Sequence, residues 1–159
     1  MLVISHRGNL RGALSSNENS PKSIDIAIGL GFDCEIDLWV SSKNSMLLGH
    51  DFGEFEISFN WLFERASKLW IHCKNLEALE FLTSSNTNFN FFWHQRDSYV
   101  LTSGKVIWSF PGETISARAI AVLPENWESK PSAEELMKAF GICTDYPLKF
   151  DHLINGRNH

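Results

Sequence analysis

Short apolar runs alternate with segments of helical period along most of this chain, and the polar, chemistry-bearing residues fall at the ends of the apolar runs. Leu2-Val3-Ile4-Ser5 delivers His6-Arg7-Gly8, after which a polar loop leads to Glu18-Asn19-Ser20-Pro21. Ser20 followed by Pro21 is an N-cap with proline at the first helical position, and Ile24, Ala27 and Ile28 recur at helical spacing before Gly29 and Gly31. Phe32 to Val40 reads as a second strand, whose period of two puts Glu35 and Asp37 on one face and Cys34, Ile36 and Leu38 on the other. A short extension, Ser45 to Gly49, then presents His50-Asp51.

A helix is expected over Asn60 to Ser67, a strand over Leu69 to Lys74 and a second helix from Asn75 to about Leu82. From Asn88 the pattern turns strand-rich, with apolar runs at Phe89 to His94, Tyr99 to Thr102, Lys105 to Phe110 and Ala119 to Leu123. Ser103-Gly104 suggests a hairpin between two of them. A capped helix (Ser132 to Phe140), a last strand (Gly141 to Thr144) and Asp145-Tyr146-Pro147 follow, and the tail after Phe150 reads as loosely held.

Such alternation favours a parallel sheet with helices outside it, and parallel α/β folds bind their ligands at the C-terminal ends of the strands. A full eightfold barrel takes roughly 250 residues and at least about 200, whereas this chain has 159. The expected fold is therefore an abbreviated TIM-type (β/α) barrel in one domain, with helices or one unit lost between Phe89 and Ala119.

A 43% hydrophobic content supports one core, and a formal charge of −5 argues against a nucleic-acid partner, which needs a basic face. Cys34, Cys73 and Cys143 are an odd set, far apart, each in an apolar stretch, and read as reduced core thiols. Leu2 to Ile4 is too short for a signal-peptide core and no apolar run could span a membrane, so a cytoplasmic location is expected.

His6-Arg7-Gly8, Glu18-Asn19-Ser20, Glu35-Ile36-Asp37, His50-Asp51 and Thr144-Asp145-Tyr146-Pro147 together resemble the ordered motifs of the glycerophosphodiester phosphodiesterase family. The resemblance covers the first third of the chain closely, touches Lys74 and returns at the end. It implies a metal-dependent hydrolase of a phosphodiester bearing glycerol or a similar polyol. His6 and His50 would be the general acid/base pair, Arg7 and Lys74 would hold the phosphate, Glu18 and Asn19 would position the site, and Glu35 and Asp37 would bind a divalent cation.

The chemistry is consistent with those residue types. In-line displacement at a phosphodiester needs one group to take a proton from the attacking oxygen and another to give one to the leaving alkoxide. An imidazole with an unperturbed pKa of about 6.5 does either near neutral pH. Carboxylates supply the hard oxygen ligands that Mg²⁺, Ca²⁺ or Mn²⁺ prefers. Two departures stand out. The family pattern has an acid two residues before the lysine; here that place is held by His72, whose imidazole as a third metal ligand would shift preference towards a transition metal. The family also carries an inserted segment after the second histidine motif, whereas this chain runs almost directly from Asp51 to the next helix, leaving a lipid, a sugar or a polymer end as the leaving group.

Other aromatic and histidine positions admit two readings. His94 lines the pocket or fills the core, and Trp108, Phe110 and Trp127 are core or a stacking wall for a sugar or glycerol moiety. For the whole protein the alternative is a catalytically impaired glycerophosphoryl-binding module, and apolar patches uncovered by lost helices would permit a homo-oligomer.

Overall fold

The structure, a computed structural model, describes residues 1–14 and 16–159. In chain order it contains β1 (Leu2–His6), α1 (Pro21–Gly29), β2 (Asp33–Val40), β3 (Met46–Leu48), β4 (Phe55–Ile57), α2 (Phe59–Glu64), β5 (Leu69–Cys73) and α3 (Leu76–Ser84). There follow β6 (Asn90–Phe92), β7 (Tyr99–Leu101), β8 (Ile107–Ser109), β9 (Ala119–Val122), a 3-10 turn (Pro124–Asn126), α4 (Ala133–Leu136), β10 (Gly141–Thr144) and α5 (Pro147–Asn155). Side-chain caps start the helices where the sequence places them: Ser20 accepts from Ser23 N, Asn75 from Ala78 N, and Ser132 forms a reciprocal capping box with Glu135.

The strands form one curled, incomplete barrel. β6, β5, β2, β1, β10, β9 and β8 are parallel in that spatial order, with β7 antiparallel on β8. β2 is long enough to pair with β1 over Asp33 to Glu35 and then with the antiparallel β3 over Leu38 to Val40. Between β6 and β8 no strand pair closes the curl among the described residues. The β7–β8 turn stands in: Ser103 N donates to Phe91 O at 2.8 Å, and Phe91 N donates to Ser103 Oγ at 2.9 Å.

Alternation along the strands divides the apolar residues between inside and outside. Ile4, Trp70, Phe92, Trp108, Ile120 and Cys143 pack inside the curl. Ile36, Leu38, Leu69 and Ile71 face outward onto the helix layer with Ile24, Leu62, Ala78 and Leu82. On the opposite flank Val3, Ala121 and Ile142 meet Trp127, Leu136 and Phe150. All three cysteines are free and buried, and burial pushes the Cys73 thiol up to about 12. No helix among the described residues is long and apolar enough to cross a membrane.

Three expectations are corrected. The helix expected over Ser132 to Phe140 stops at Leu136, because Lys138 and Ala139 make tighter i→i+3 bonds and Phe140 N is diverted to Ala119 O on the way into β10. The segment after Asp51 does not run straight into a helix; β4 first pairs with β3. The tail after Phe150 is tied down: α5 continues to Asn155, and Asp151, fully buried, accepts from Asn155, Arg157 and His159.

Candidate active site

β1 ends in a left-handed turn, with Arg7 at φ 53° and Gly8 at φ 79°. A Cβ on Gly8 would sit 3.0 Å from the backbone of Ser23 and Ile24, so α1 closes against this turn only because the residue is glycine. The sheet register sets His6 opposite Glu35 on β2, and places Asp145 one step beyond the Ser5–Thr144 pair on the other side. His6 Nδ1 lies 2.7 Å from Asp145 Oδ1. A carboxylate only accepts, so Nδ1 carries the proton and Nε2, 3.9 Å from Glu35 Oε2, is left to exchange one. Burial alone would lower the His6 pKa, but the hydrogen bond to Asp145 and the Glu35 charge outweigh it and hold it above the ordinary histidine value. Burial would likewise raise Asp145, yet its bond to His6 keeps it below the usual carboxylate range.

Asp37, fully buried two residues beyond Glu35 on β2, is the hub of a second cluster. Arg7 Nε pairs with it at 2.9 Å, His72 Nδ1 at 2.9 Å and Lys74 Nζ at 3.4 Å. Asn19, buried with φ 60°, clamps the same residue twice, donating from Nδ2 to Oδ2 and accepting from Asp37 N, each at 2.9 Å. Burial would raise the Asp37 carboxyl, but the His72 hydrogen bond and the Arg7 charge hold it well below the usual range. Glu18 ties the loop to both clusters, accepting from Arg7 at 3.2 Å and from Asn9 Nδ2 at 3.0 Å, while the same Nδ2 also donates to Asp145 at 2.9 Å. Glu35 is treated in the opposite way: its Oε2 is buried with no hydrogen-bond partner, and burial and the neighbouring Asp37 push its pKa up.

Glu35, Asp37 and His72 each bring a donor atom within 4.8 Å of the others. The β2–β5 register sets Asp37 directly beside His72. His72 Nε2 lies 3.1 Å from the His94 carbonyl and Nδ1 lies 2.9 Å from Asp37 Oδ1, so Nε2 donates to the carbonyl and Nδ1 is the nitrogen that would turn from Asp37 to a cation, giving up its hydrogen to do so. This is the orientation that ligating histidines adopt, with the second nitrogen donated to a carbonyl. Two carboxylates, one of them with an unpartnered oxygen, and one oriented imidazole therefore fit a divalent cation.

A cavity of about 810 Å³ opens over these groups, and His6, Arg7, Glu35, His50, His72 and Lys74 all line it. His50 arrives on the chain returning from β3. Gly49 N donates to Asp37 O at 3.1 Å and its carbonyl accepts from Trp39 Nε1 at 2.7 Å, while a Cβ at Gly49 (φ 153°) would meet Phe52 O at 2.0 Å. His50 is the most open of the predicted set, its side chain 45% exposed and its Nδ1 2.7 Å from Asp51. The far wall is aromatic, formed by Phe92, Trp93, Trp108 and Phe110. His94 also lines the cavity and stacks on Phe110, their centroids 3.7 Å apart; burial and the neighbouring His72 lower its pKa. Trp127 does not belong to this wall. Its indole donates to Val122 O at 2.8 Å and packs on the outer flank.

Asp145 and Asn9 join the site without having been given a role. Asp145 had a signal, an acid directly after the last apolar run. Asn9 had none, since its partners Glu18 and Asp145 become neighbours only through folding.

No family model and no curated protein matches this chain. Two solved structures from Parabacteroides distasonis ATCC 8503 share its fold. A glycerophosphoryl diester phosphodiesterase superposes with a TM-score of 0.58 at 12% identity, over 98% of this chain and 86% of that one. A glycerophosphodiester phosphodiesterase superposes with a TM-score of 0.57 at 14% identity, over 98% of this chain and 97% of the other. The architecture is thus that of a glycerophosphodiester phosphodiesterase-like barrel in abbreviated form.

Proposed function

We propose that this chain is a metal-dependent phosphodiesterase that cleaves a glycerophosphodiester-like bond, a diester of a polyol, with His6 and His50 as its acid/base pair. The observation that carries this reading is convergence: residues from the ends of β1, β2 and β5 and from the β3–β4 connection, chosen for their chemistry, line one cavity. The fold shared with two phosphodiesterases is consistent with it.

In this reading Asp145 holds the His6 ring so that Nε2 exchanges the proton, and His50, which lines the same cavity, serves the other oxygen. Arg7 and Lys74 hold the phosphate, and Glu18 and Asn19 keep Arg7 and Asp37 in place. Glu35, Asp37 and His72 hold the divalent metal, Mg²⁺, Ca²⁺ or Mn²⁺, with a transition metal favoured by the imidazole. When bound, such a cation neutralises charge developing on the phosphate oxygens.

A second reading, a glycerophosphoryl-binding module with impaired catalysis, is favoured by one observation: Arg7 and Lys74 are both already paired with Asp37. Turnover of a panel of phosphodiesters, with and without EDTA, separates the two. Wild type is expected to turn over a polyol diester only with metal, and His6→Ala to lose about 10²-fold or more in kcat. Metal-independent turnover that survives His6→Ala would exclude the proposed mechanism; binding without turnover would favour the module.

A further inference from the structure

A second cavity, of about 350 Å³, lies between α5 and the β1–α1 loop, and its lining is basic: Arg11, Lys149, His152 and Arg157 surround it, with Tyr146 at one side. In a chain of formal charge −5 such a concentration stands apart. One member of this basic lining, Arg157, is held in place by a buried partner. Gly156, left-handed at φ 66°, turns the chain after α5, and Arg157 then bonds Asp151 Oδ1 through Nε at 3.2 Å and Nη2 at 2.6 Å. Asp151 is 0% exposed, so it fixes the guanidinium from behind without facing the cavity.

The cavity is also joined to the candidate active site. Asn9, which bonds Glu18 and Asp145, is followed at once by Leu10 and Arg11 of the cavity, and Asp145, which bonds His6, is followed by Tyr146. Gly12 N donates to Asp145 O at 2.8 Å, and a Cβ on Gly12 would come within 3.1 Å of Tyr146 Oη, so the two loops pack directly on each other.

We propose that this cavity is a second anion site that binds a phosphoryl group, either the further phosphate of a substrate that carries more than one or free inorganic phosphate. The substrate case rests on the phosphodiesterase reading; the binding case does not. The Arg11 guanidinium and the N–H groups of Arg157 that Asp151 does not engage, together with the Lys149 ammonium, suit a phosphate, the first by hydrogen bonding and the last by charge.

Isothermal titration of inorganic phosphate into the full chain in EDTA tests the site itself. Arg11→Glu/Lys149→Glu, at two exposed positions, is expected to weaken phosphate at least tenfold, and Lys74→Ala to leave that binding in place. Arg11→Ala/Lys149→Ala provides the milder pair should charge reversal disturb folding. Phosphate affinity unchanged in both double variants overturns the site. A polyol diester with a second, terminal phosphate and its one-phosphate counterpart separate the two sources. A KM raised about tenfold for the first alone, at constant kcat, supports a substrate subsite. Lost phosphate binding with both KM values unchanged assigns the site to free phosphate. No turnover of either diester by wild type counts against the phosphodiesterase reading and leaves the binding result standing.

Discussion

At the residue scale the two acids of β2 are held differently. Asp37 is surrounded by Arg7, Lys74, His72 and Asn19, while Glu35, two residues away on the same strand face, keeps a buried oxygen without a partner. His6 depends on Asp145 in turn. Asp145→Asn keeps the size of the side chain but removes the ionised acceptor that sets the imidazole tautomer. We expect kcat for a polyol diester to fall by roughly 10²-fold or more with the fold intact. Steady-state kinetics with circular dichroism as the folding control checks this; wild-type kcat would remove Asp145 from the mechanism.

At the element scale, the C-terminal segment shows how one buried carboxylate orders a stretch that composition marks as loose. Asp151 accepts from Asn155, Arg157 and His159 from within α5 and just after it. Burial would raise its pKa, but those hydrogen bonds, Arg157 first, hold it below the usual value. A depressed carboxylate contributes stability that is present above its unfolded pKa of about 3.9 and is lost as pH falls through the folded value. Asp151→Asn is therefore expected to cost about 1–3 kcal/mol at neutral pH. It should also flatten the loss of stability as pH falls below about 4. Urea unfolding across that range measures both; an equally steep acid limb in the variant would show that Asp151 is not its source.

At the scale of the whole molecule, global stability and the metal site are linked. A ligand that binds only the folded state adds RT ln(1 + [L]/Kd), about 2.7 kcal/mol at a hundredfold excess over Kd. Glu35→Gln removes a buried carboxylate, crowded by Asp37 and with Oε2 lacking a hydrogen-bond partner, and with it one proposed ligand. The metal-free variant is expected to be as stable as wild type or more so, and to gain far less from added Mn²⁺. Thermal unfolding with and without the metal reads this directly, and an equal Mn²⁺-induced shift in Tm in the two proteins would place the metal elsewhere.

Much of this architecture was legible in the sequence, because strand and helix periods and caps are local. Ser20-Pro21 starts α1, and the alternation in β2 turns Glu35 and Asp37 together towards His72 and Ile36 and Leu38 to the helix layer. The helix-poor span after Phe89 also folds as short strands. Where local signals were absent the reading went astray: β4 is too short to show a period, α4 is cut short by the demand that Phe140 bond Ala119 on β9, and the tail is held by Asp151.

The sequence by itself determined which residue types stand at the strand ends and which face of each strand they occupy, since both follow from a period of two within a few residues. Only the tertiary structure decided who meets whom. Parallel register brings His6 to an aspartate 139 positions away, and crowds four polar side chains onto Asp37 while leaving an oxygen of Glu35 unpaired. Burial and neighbouring charge, and hence each group's proton affinity, arise only when strands distant in sequence lie side by side.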